Sequence, residues 1–169
     1  MTTTTITGHA RVLGDDINTD LHCSTKYTPG KNAAYAAQHA FEQLSAGYAG
    51  RFQPGDVVVA GRNFGHNSSR EEAAQVLKLM GASALVAISF GRQFFRNAVN
   101  NGLPVIECDV AGIADGDALE VELSAGRLAV PARGLALGFR PLAPQMQALL
   151  AAGGLIPYLH AHPDWGAAR

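Results

Sequence analysis

The 169-residue chain is poor in the residues that mark several protein classes. It has two cysteines and one tryptophan, only 16% of its residues are charged, and its net charge is −1. Two cysteines do not form the disulfide framework of a small secreted domain. They also cannot hold a cubane iron–sulfur cluster, which usually needs about three or four thiolates. Because the charge is nearly balanced and no basic stripe stands out, the composition gives no support for nucleic-acid binding.

Long apolar runs are absent as well. None approaches the ~20 residues that a membrane span requires, and the threonine-rich start, Met1 to Thr5, does not resemble a signal peptide. The sequence therefore predicts a cytoplasmic protein with no membrane partner. Hydrophobic residues make up 47% of the chain, which is enough for a packed core. Since there are no repeats or linkers, we expect one domain over residues 1–169.

The most informative stretch is the loop from Gly61 to Glu72. It follows a β-type run, Val57 to Ala60, and precedes a helical run that stops at Gly81. Ser69 and Glu72 fit a capping box at the start of that helix. A helix N-terminus with free amide groups favours an anion, and an arginine at position 70 adds a planar fork suited to carboxylate.

This loop also has a purely structural interpretation, since Ser-Ser-x-Glu is a common helix start. It is not a phosphate-binding P-loop, because no lysine precedes the hydroxyl residue. A second feature of the sequence also has both a functional and a purely structural interpretation. Arg92 and Arg96 lie one turn apart on a predicted helix, where they either face an anion or acidic partner or form part of a solvated surface.

The remaining pattern predicts strands, helices and one hairpin. Apolar periodicity, caps and glycine punctuation predict strands over 6–13, 84–88 and 103–107, helices over 33–45, 91–101 and 144–152, and a hairpin of 119–123 with 128–130. His160 and His162 are predicted to lie in a tail rather than to act as ligands. A strand–helix–strand core with added antiparallel strands indicates a three-layered α/β fold.

Two motifs together resemble a known family. These are the Gly61–Glu72 loop and the run from Ser89 to Pro104. They are similar to Asn-Phe-Gly-x-Gly-Ser-Ser-Arg-Glu and Ser-Phe-Ala-x-x-Phe-x-x-Asn-x-x-Asn-x-Gly-Leu-Pro of the 3-isopropylmalate dehydratase small subunits. The resemblance runs from about Gly14 to Leu159. It implies the three-layer swivelling β/β/α domain of the aconitase C-terminal type.

The resemblance also implies roles for individual residues. Ser68 corresponds to the base that removes a proton from carbon. Asp20, in the acidic loop Gly14 to Asp20, corresponds to an active-site aspartate. Substrate binding falls to Ser69, which alternatively caps the helix, and to Arg70, together with the loop that carries Lys26, Tyr27 and, as a further candidate, Lys31.

The sequence departs from the family pattern at several positions. Thr28 and Pro29 stand where the family has leucine and a substrate-selecting arginine, so the substrate is open. Asn67 replaces a glycine, and asparagine tolerates the left-handed backbone better than most residues. Glu72 stands where the family has histidine. His66 replaces a small or acidic residue and is a specificity contact, a proton carrier or exposed loop.

The chemistry implied by the resemblance is a hydro-lyase reaction of leucine biosynthesis. It interconverts 2-isopropylmalate and 3-isopropylmalate by dehydration and rehydration, and it requires a large subunit with a 4Fe–4S cluster. The chain itself would hold no metal. Two alternatives stay open. One is a related hydroxy-dicarboxylic or tricarboxylic acid dehydratase, homoaconitase-like or dimethylmalate dehydratase-like, and the other is a non-catalytic binding protein on the same fold.

Overall fold

The computed structural model describes residues 5–26, 29–67 and 69–164. Tyr27, Thr28 and Ser68 therefore lie outside the described residues. The strands are β1 (Thr5–Val12), β2 (Val57–Ala60), β3 (Ala84–Ala87), β4 (Val105–Glu107), β5 (Ala118–Glu122), β6 (Arg127–Val130) and β7 (Leu135–Gly138). The helices are α1 (Thr19–His22), α2 (Ala33–Gln38), α3 (Glu72–Leu79), α4 (Arg92–Asn100), α5 (Pro144–Ala151) and α6 (Leu155–Ala161).

All these strands join one seven-stranded mixed sheet in the order β4-β3-β2-β1-β5-β6-β7. Strands β1 to β4 pair in parallel, while β5 to β7 add antiparallel strands on the other side of β1. The central parallel strands β2 and β3 are short apolar runs buried on both faces, which is the usual character of strands covered by helices.

Two clusters of buried side chains lie on opposite faces of the parallel strands. The first packs the helices against the sheet and contains Phe41, Phe64, Leu77 and Phe94. The second cluster joins Val57 and other residues of the parallel strands to residues of the antiparallel strands. The antiparallel part of the sheet therefore packs over one face of the parallel part. This arrangement is the predicted three-layer β/β/α fold, and the α/β class is confirmed.

Several predicted boundaries need correction. Helix α2 ends at Gln38 rather than Ser45, although Asn32 caps it as predicted by accepting from the amide of Tyr35. The chain turns away because Phe41, at φ 61°, is fully buried between His22, Tyr48 and Phe52. Burial of this large ring outweighs continuation of a helix that local propensity alone would favour.

The C-terminal region is more ordered than predicted. Helix α6 (Leu155–Ala161) is additional to the predicted elements, so His160 lies in a helix rather than in a tail and His162 is the C-cap of that helix. Pro157 falls in the first turn, where proline is tolerated because its missing N–H has no partner inside the helix. Strand β7 is also additional to the predicted elements. Across the described residues, no helix has the length and apolar character needed to cross a membrane.

Candidate functional site

The predicted site loops meet at the carboxyl ends of the parallel strands. The loop after β1 carries Asp20, the loop after β2 carries Arg70, and the loop after β3 packs beside them. In open α/β sheets this edge is where ligands usually bind. Local sequence therefore places the candidate residues on two separate loops, and the parallel pairing of β1, β2 and β3 brings these loops and the loop after β3 together.

The first two loops are joined by hydrogen bonds. The amide of Asp16 donates to the carbonyl of Arg62 over 2.8 Å, and the amide of Gly65 donates to that of Ile17 over 2.8 Å. The Asn63 side chain donates to Asp16 Oδ1 over 2.8 Å. Since both backbone and side-chain bonds join them, the two loops form one platform at the strand ends.

A tight corner joins this platform to the loop after β3. Gly65 has φ 75°, and a Cβ on it would lie 2.4 Å from Cγ of Phe94. A Cβ on Gly91 would lie 2.5 Å from the carbonyl oxygen of Gly65. These approaches require glycine at both positions, and they set the course of the chain into His66 and Asn67. Asn67 itself has φ 58°, which confirms the prediction of a left-handed residue there.

Asp20 is the buried carboxylate of the site. It lies in the first turn of α1, where its amide donates to the capping side chain of Asn18 over 3.0 Å, and it is 6% exposed. Lys26 Nζ lies 2.9 Å from Asp20 Oδ2, and Arg70 Nε lies 3.7 Å from Asp20 Oδ1. One buried carboxylate thus holds two cations that come from different loops, and both cations stay partly exposed.

The capping box predicted for Ser69 and Glu72 is wrong. Helix α3 begins at Glu72, its N-cap is Glu71, and the Glu71 side chain makes no capping hydrogen bond to a described residue. The Glu72 carboxylate instead accepts two hydrogen bonds from Thr25, from the amide over 3.1 Å and from the hydroxyl over 2.8 Å. Ser69 is exposed in the segment before the helix, so its predicted capping role is lost.

Side chains at the C-terminal half of helix α4 form hydrogen bonds to the segment around Ser69. Asn97 Nδ2 donates to the carbonyl of Ser69 over 3.2 Å, and Asn101 Nδ2 donates to Glu71 Oε1 over 2.9 Å. We did not predict these contacts from the sequence. The signals in the sequence are that both asparagines fall within the second family motif and that Asn101, followed by Gly102, is expected to end the helix, as it does.

His66 and Lys31 are placed differently from Asp20, Lys26 and Arg70. His66 is half-buried at the tight corner, and its Nδ1 atom is buried without a hydrogen-bond partner in the described part of the chain. Lys31 is exposed, with Nζ 4.7 Å from the centre of the Tyr35 ring. The structure gives Lys31 no described contact with Asp20, Lys26 or Arg70.

A hollow of about 720 Å³ opens beside this platform. It is lined by residues of the Gly65 corner, by Phe90 and by the first turns of α4, including Arg92 and Arg96. Both arginines are exposed, so the structure leaves their two interpretations open. The hollow adjoins the loop that carries Gly65 and Asn67.

The cysteines do not fit an iron–sulfur cluster. Cys23 and Cys108 are both buried and free, and burial raises the pKa of each thiol, whereas a metal ligand must be a thiolate. Within residues 5–26, 29–67 and 69–164, no three His, Cys, Asp or Glu side chains are grouped so that they could hold a metal ion.

Comparison with known proteins agrees with this geometry. The family model for the aconitase C-terminal domain matches residues 17–110. The chain is 41% identical to 3-isopropylmalate dehydratase small subunit 2 of Archaeoglobus fulgidus, over 93% of this chain and 96% of the relative. It is also 41% identical to the small subunit of Moorella thermoacetica, over 91% of this chain and 94% of the relative.

A solved structure gives the same result. The crystal structure of 3-isopropylmalate dehydratase from Methanocaldococcus jannaschii superposes with a TM-score of 0.88 and 33% identity. The match covers 97% of this chain and 98% of that one. With the fold, the loop platform and the relatives in agreement, the chain belongs to the family of 3-isopropylmalate dehydratase small subunits, built on the aconitase C-terminal domain.

Proposed function

We propose that this chain is the small subunit of a hydro-lyase that interconverts 2-isopropylmalate and 3-isopropylmalate in leucine biosynthesis. The observation that carries the proposal is the agreement of relatives 39–41% identical over about nine-tenths of the chain, several of which are named as small subunits of this enzyme. The ion-paired group of Asp20, Lys26 and Arg70 supports the proposal, because two cations positioned by one buried carboxylate suit a hydroxy-diacid substrate.

The reaction needs a base and a means of binding carboxylate. Dehydration removes a proton from one carbon and a hydroxide from its neighbour, leaving an alkene, and rehydration adds water with the opposite orientation. We assign proton removal to Ser68. A serine hydroxyl is a poor base at its ordinary acidity, so its alkoxide must be stabilised by positive charge nearby.

Arg70 is the main source of that charge in our proposal. Helix α3 begins at Glu72, two residues beyond Arg70, and the field of a helix dipole falls off within about one turn. The full charge of a guanidinium therefore outweighs the dipole at this loop. Arg70 also offers a planar fork for a substrate carboxylate, while Asp20 fixes the position of Arg70 and Lys26 from the buried side.

Ser69, Lys26, Tyr27, Lys31 and His66 complete the proposed substrate contacts. Ser69 is exposed next to Arg70. The His66 Nδ1 atom is buried and has no hydrogen-bond partner in the described part of the chain, so we assign the substrate contact of His66 to its other ring nitrogen, Nε2. In this proposal His66 is a specificity contact rather than a proton carrier.

We further propose that a large subunit supplies the 4Fe–4S cluster. The described part of this chain offers no set of metal ligands, and burial raises the pKa of both thiols, which disfavours the thiolate that a metal requires. The cluster would act as a Lewis acid on the departing hydroxyl group. This chain would then contribute the carboxylate-binding cations and the base from the opposite side of the substrate.

A second candidate function is dehydration of a related hydroxy-acid. It is favoured by Pro29, which replaces the arginine of the family pattern and cannot form a two-pronged contact with carboxylate. Purification of the chain with its large subunit, followed by kcat/KM measurements on 2-isopropylmalate, homoaconitate and dimethylmalate, separates the two. We expect isopropylmalate to rank first, and a clear preference for another acid would replace the proposal.

A further inference from the structure

Thr25 and Glu72 form a contact between two loops that carry site residues. Thr25 precedes Lys26 in the loop after α1, and Glu72 follows the Arg70 loop as the first residue of α3. The carboxylate accepts from the Thr25 amide over 3.1 Å with one oxygen, and from the Thr25 hydroxyl over 2.8 Å with the other. Both carboxylate oxygens are thus bonded to a single residue.

We propose that this contact is a positioning link, which sets where Lys26 and Asp20 lie relative to Arg70. The inference rests on the proposed function for its kinetic consequences. Thr25 and Glu72 touch no reacting group in it. They act by fixing the distance between the loop that bears Lys26 and the loop that bears Ser68 and Arg70.

The short segment around Thr25 is held at both ends. The Ser24 hydroxyl donates to the carbonyl of Asp20 over 2.7 Å, and the amide of Lys26 donates to the Ser24 hydroxyl over 3.2 Å. These bonds attach the segment to α1, whereas Thr25 attaches it to α3. With its backbone fixed in this way, Lys26 reaches Asp20 Oδ2 over 2.9 Å.

The ion pairs alone hold the loops together less firmly. Lys26 and Arg70 are 37% and 45% exposed, and their long side chains retain rotamer freedom. The Thr25 amide, by contrast, is a rigid backbone donor, and its bond to an ionised carboxylate is of the stronger, charge-assisted kind. The link to Glu72 is therefore the more exact restraint on the spacing of the two loops.

Sequence supports a specific pairing here. Glu72 stands where the family pattern has histidine, and a histidine nitrogen cannot accept from two donors as a carboxylate does. The contact therefore depends on the carboxylate that this chain has at position 72. It accompanies the altered sequence at Thr28 and Pro29 in the same loop.

The first arm of the test measures the Thr25 amide in the full chain by NMR hydrogen exchange. Glu72→Ala removes both acceptors, so exchange of this amide should accelerate about tenfold or more. Glu71→Ala is the matched control. It removes the same charge from the same helix start and breaks a bond to Asn101, but it leaves Thr25 bonded. Unchanged exchange in Glu72→Ala would overturn the proposal.

The second arm measures kinetics of the chain assembled with its large subunit. Because small misplacements of site groups slow chemistry strongly, Glu72→Ala should lower kcat about ten- to a hundredfold, with a smaller change in KM. Glu72→Gln still accepts from the Thr25 amide and can donate to its hydroxyl, so it should restore most of kcat. By the same reasoning, the Thr25→Ser variant should have a higher kcat than the Thr25→Val variant, because serine keeps the hydroxyl group and valine lacks it.

The outcomes separate this proposal from the proposed function. If the wild-type assembly fails to convert isopropylmalate, the proposed function is wrong, and the exchange measurement still decides whether the link holds the loop. If the assembly is active but Glu72→Ala and Glu71→Ala behave alike, the positioning role is wrong. Equal losses in Glu72→Ala and Glu72→Gln, with a matching fall in melting temperature, would reduce the contact to a structural one.

Discussion

Substitution of Asp20 by asparagine tests how the buried carboxylate acts on the two cations. The change keeps the size of the side chain and removes the charge that faces Lys26 Nζ at 2.9 Å and Arg70 Nε at 3.7 Å. Both cations are partly exposed, so water compensates them when the charge is lost. With about 0.2 to 1 kcal/mol for each such pair, we expect the free energy of unfolding to fall by at most about 2 kcal/mol.

The effect on activity should be much larger than the effect on stability. Loss of one preorganised charge or donor in an active site typically lowers kcat by about 10²–10³-fold. The assay is steady-state turnover of the chain assembled with its large subunit, with a thermal melt of each variant. A stability loss of up to ~2 kcal/mol corresponds to a melting shift of several degrees, which leaves the variant folded at 25 °C.

Asp117→Asn provides the matched control. Asp117 pairs with Arg133 Nε over 2.6 Å next to the antiparallel strands, away from the site loops. The arginine hydrogen bond lowers the pKa of this carboxyl, so the control also disrupts a formed ion pair. We expect it to leave kcat unchanged. If Asp20→Asn retains wild-type kcat, or if both variants lose it equally, our account of Asp20 is wrong.

Three further predictions concern the loop that contains Thr28 and Pro29, cluster binding by the isolated chain, and the tight corner at Gly65. Thr28→Leu combined with Pro29→Arg should change the substrate ranking in kcat/KM more than it changes the melting temperature, and an unchanged ranking would exclude this loop as the selector. The isolated chain, reconstituted anaerobically with iron and sulfide, should bind no stoichiometric cluster, whereas a 4Fe–4S signal would contradict the assignment of the cluster to the large subunit. Gly65→Ala should lower the free energy of unfolding by about 2 to 4 kcal/mol, because it adds left-handed strain to overpacking. Gly116→Ala, with φ 85° and no heavy atom within 4 Å of the added carbon, should cost about 1 kcal/mol, and equal losses in urea unfolding would refute the steric argument.

Most of the parallel half of the fold could be predicted because its signals are local. Strands β2 and β3 are short apolar runs flanked by turns, and helix α4 begins and ends within one residue of its predicted bounds. The early end of α2 could not be predicted, because it depends on the packing of Phe41 against His22, Tyr48 and Phe52, which is a tertiary arrangement that helix periodicity does not reveal. Strand β7 was missed because four residues ending in glycine give little periodicity.

The site was predictable only as a set of loops. The family motifs single out Asp20 and Arg70, but their meeting depends on the parallel pairing of β1 with β2. Glu72 shows the limit of local patterns. It fits a capping box in the sequence, yet its carboxylate accepts a hydrogen bond from the hydroxyl of Thr25, which lies 47 residues earlier in the chain. A tertiary contact of this kind leaves no local signal.

Kinetics of Ser68→Ala in the assembled enzyme tests the central claim most directly. We expect conversion of 2-isopropylmalate to 3-isopropylmalate by the wild type, and a fall in kcat of about 10²–10⁴-fold in Ser68→Ala with KM little changed. Ser69→Ala should be milder, since Ser69 only contacts substrate in our proposal. A normal kcat in Ser68→Ala together with a collapsed kcat in Ser69→Ala would reverse the assignment, and normal values in both would contradict a catalytic role for this loop.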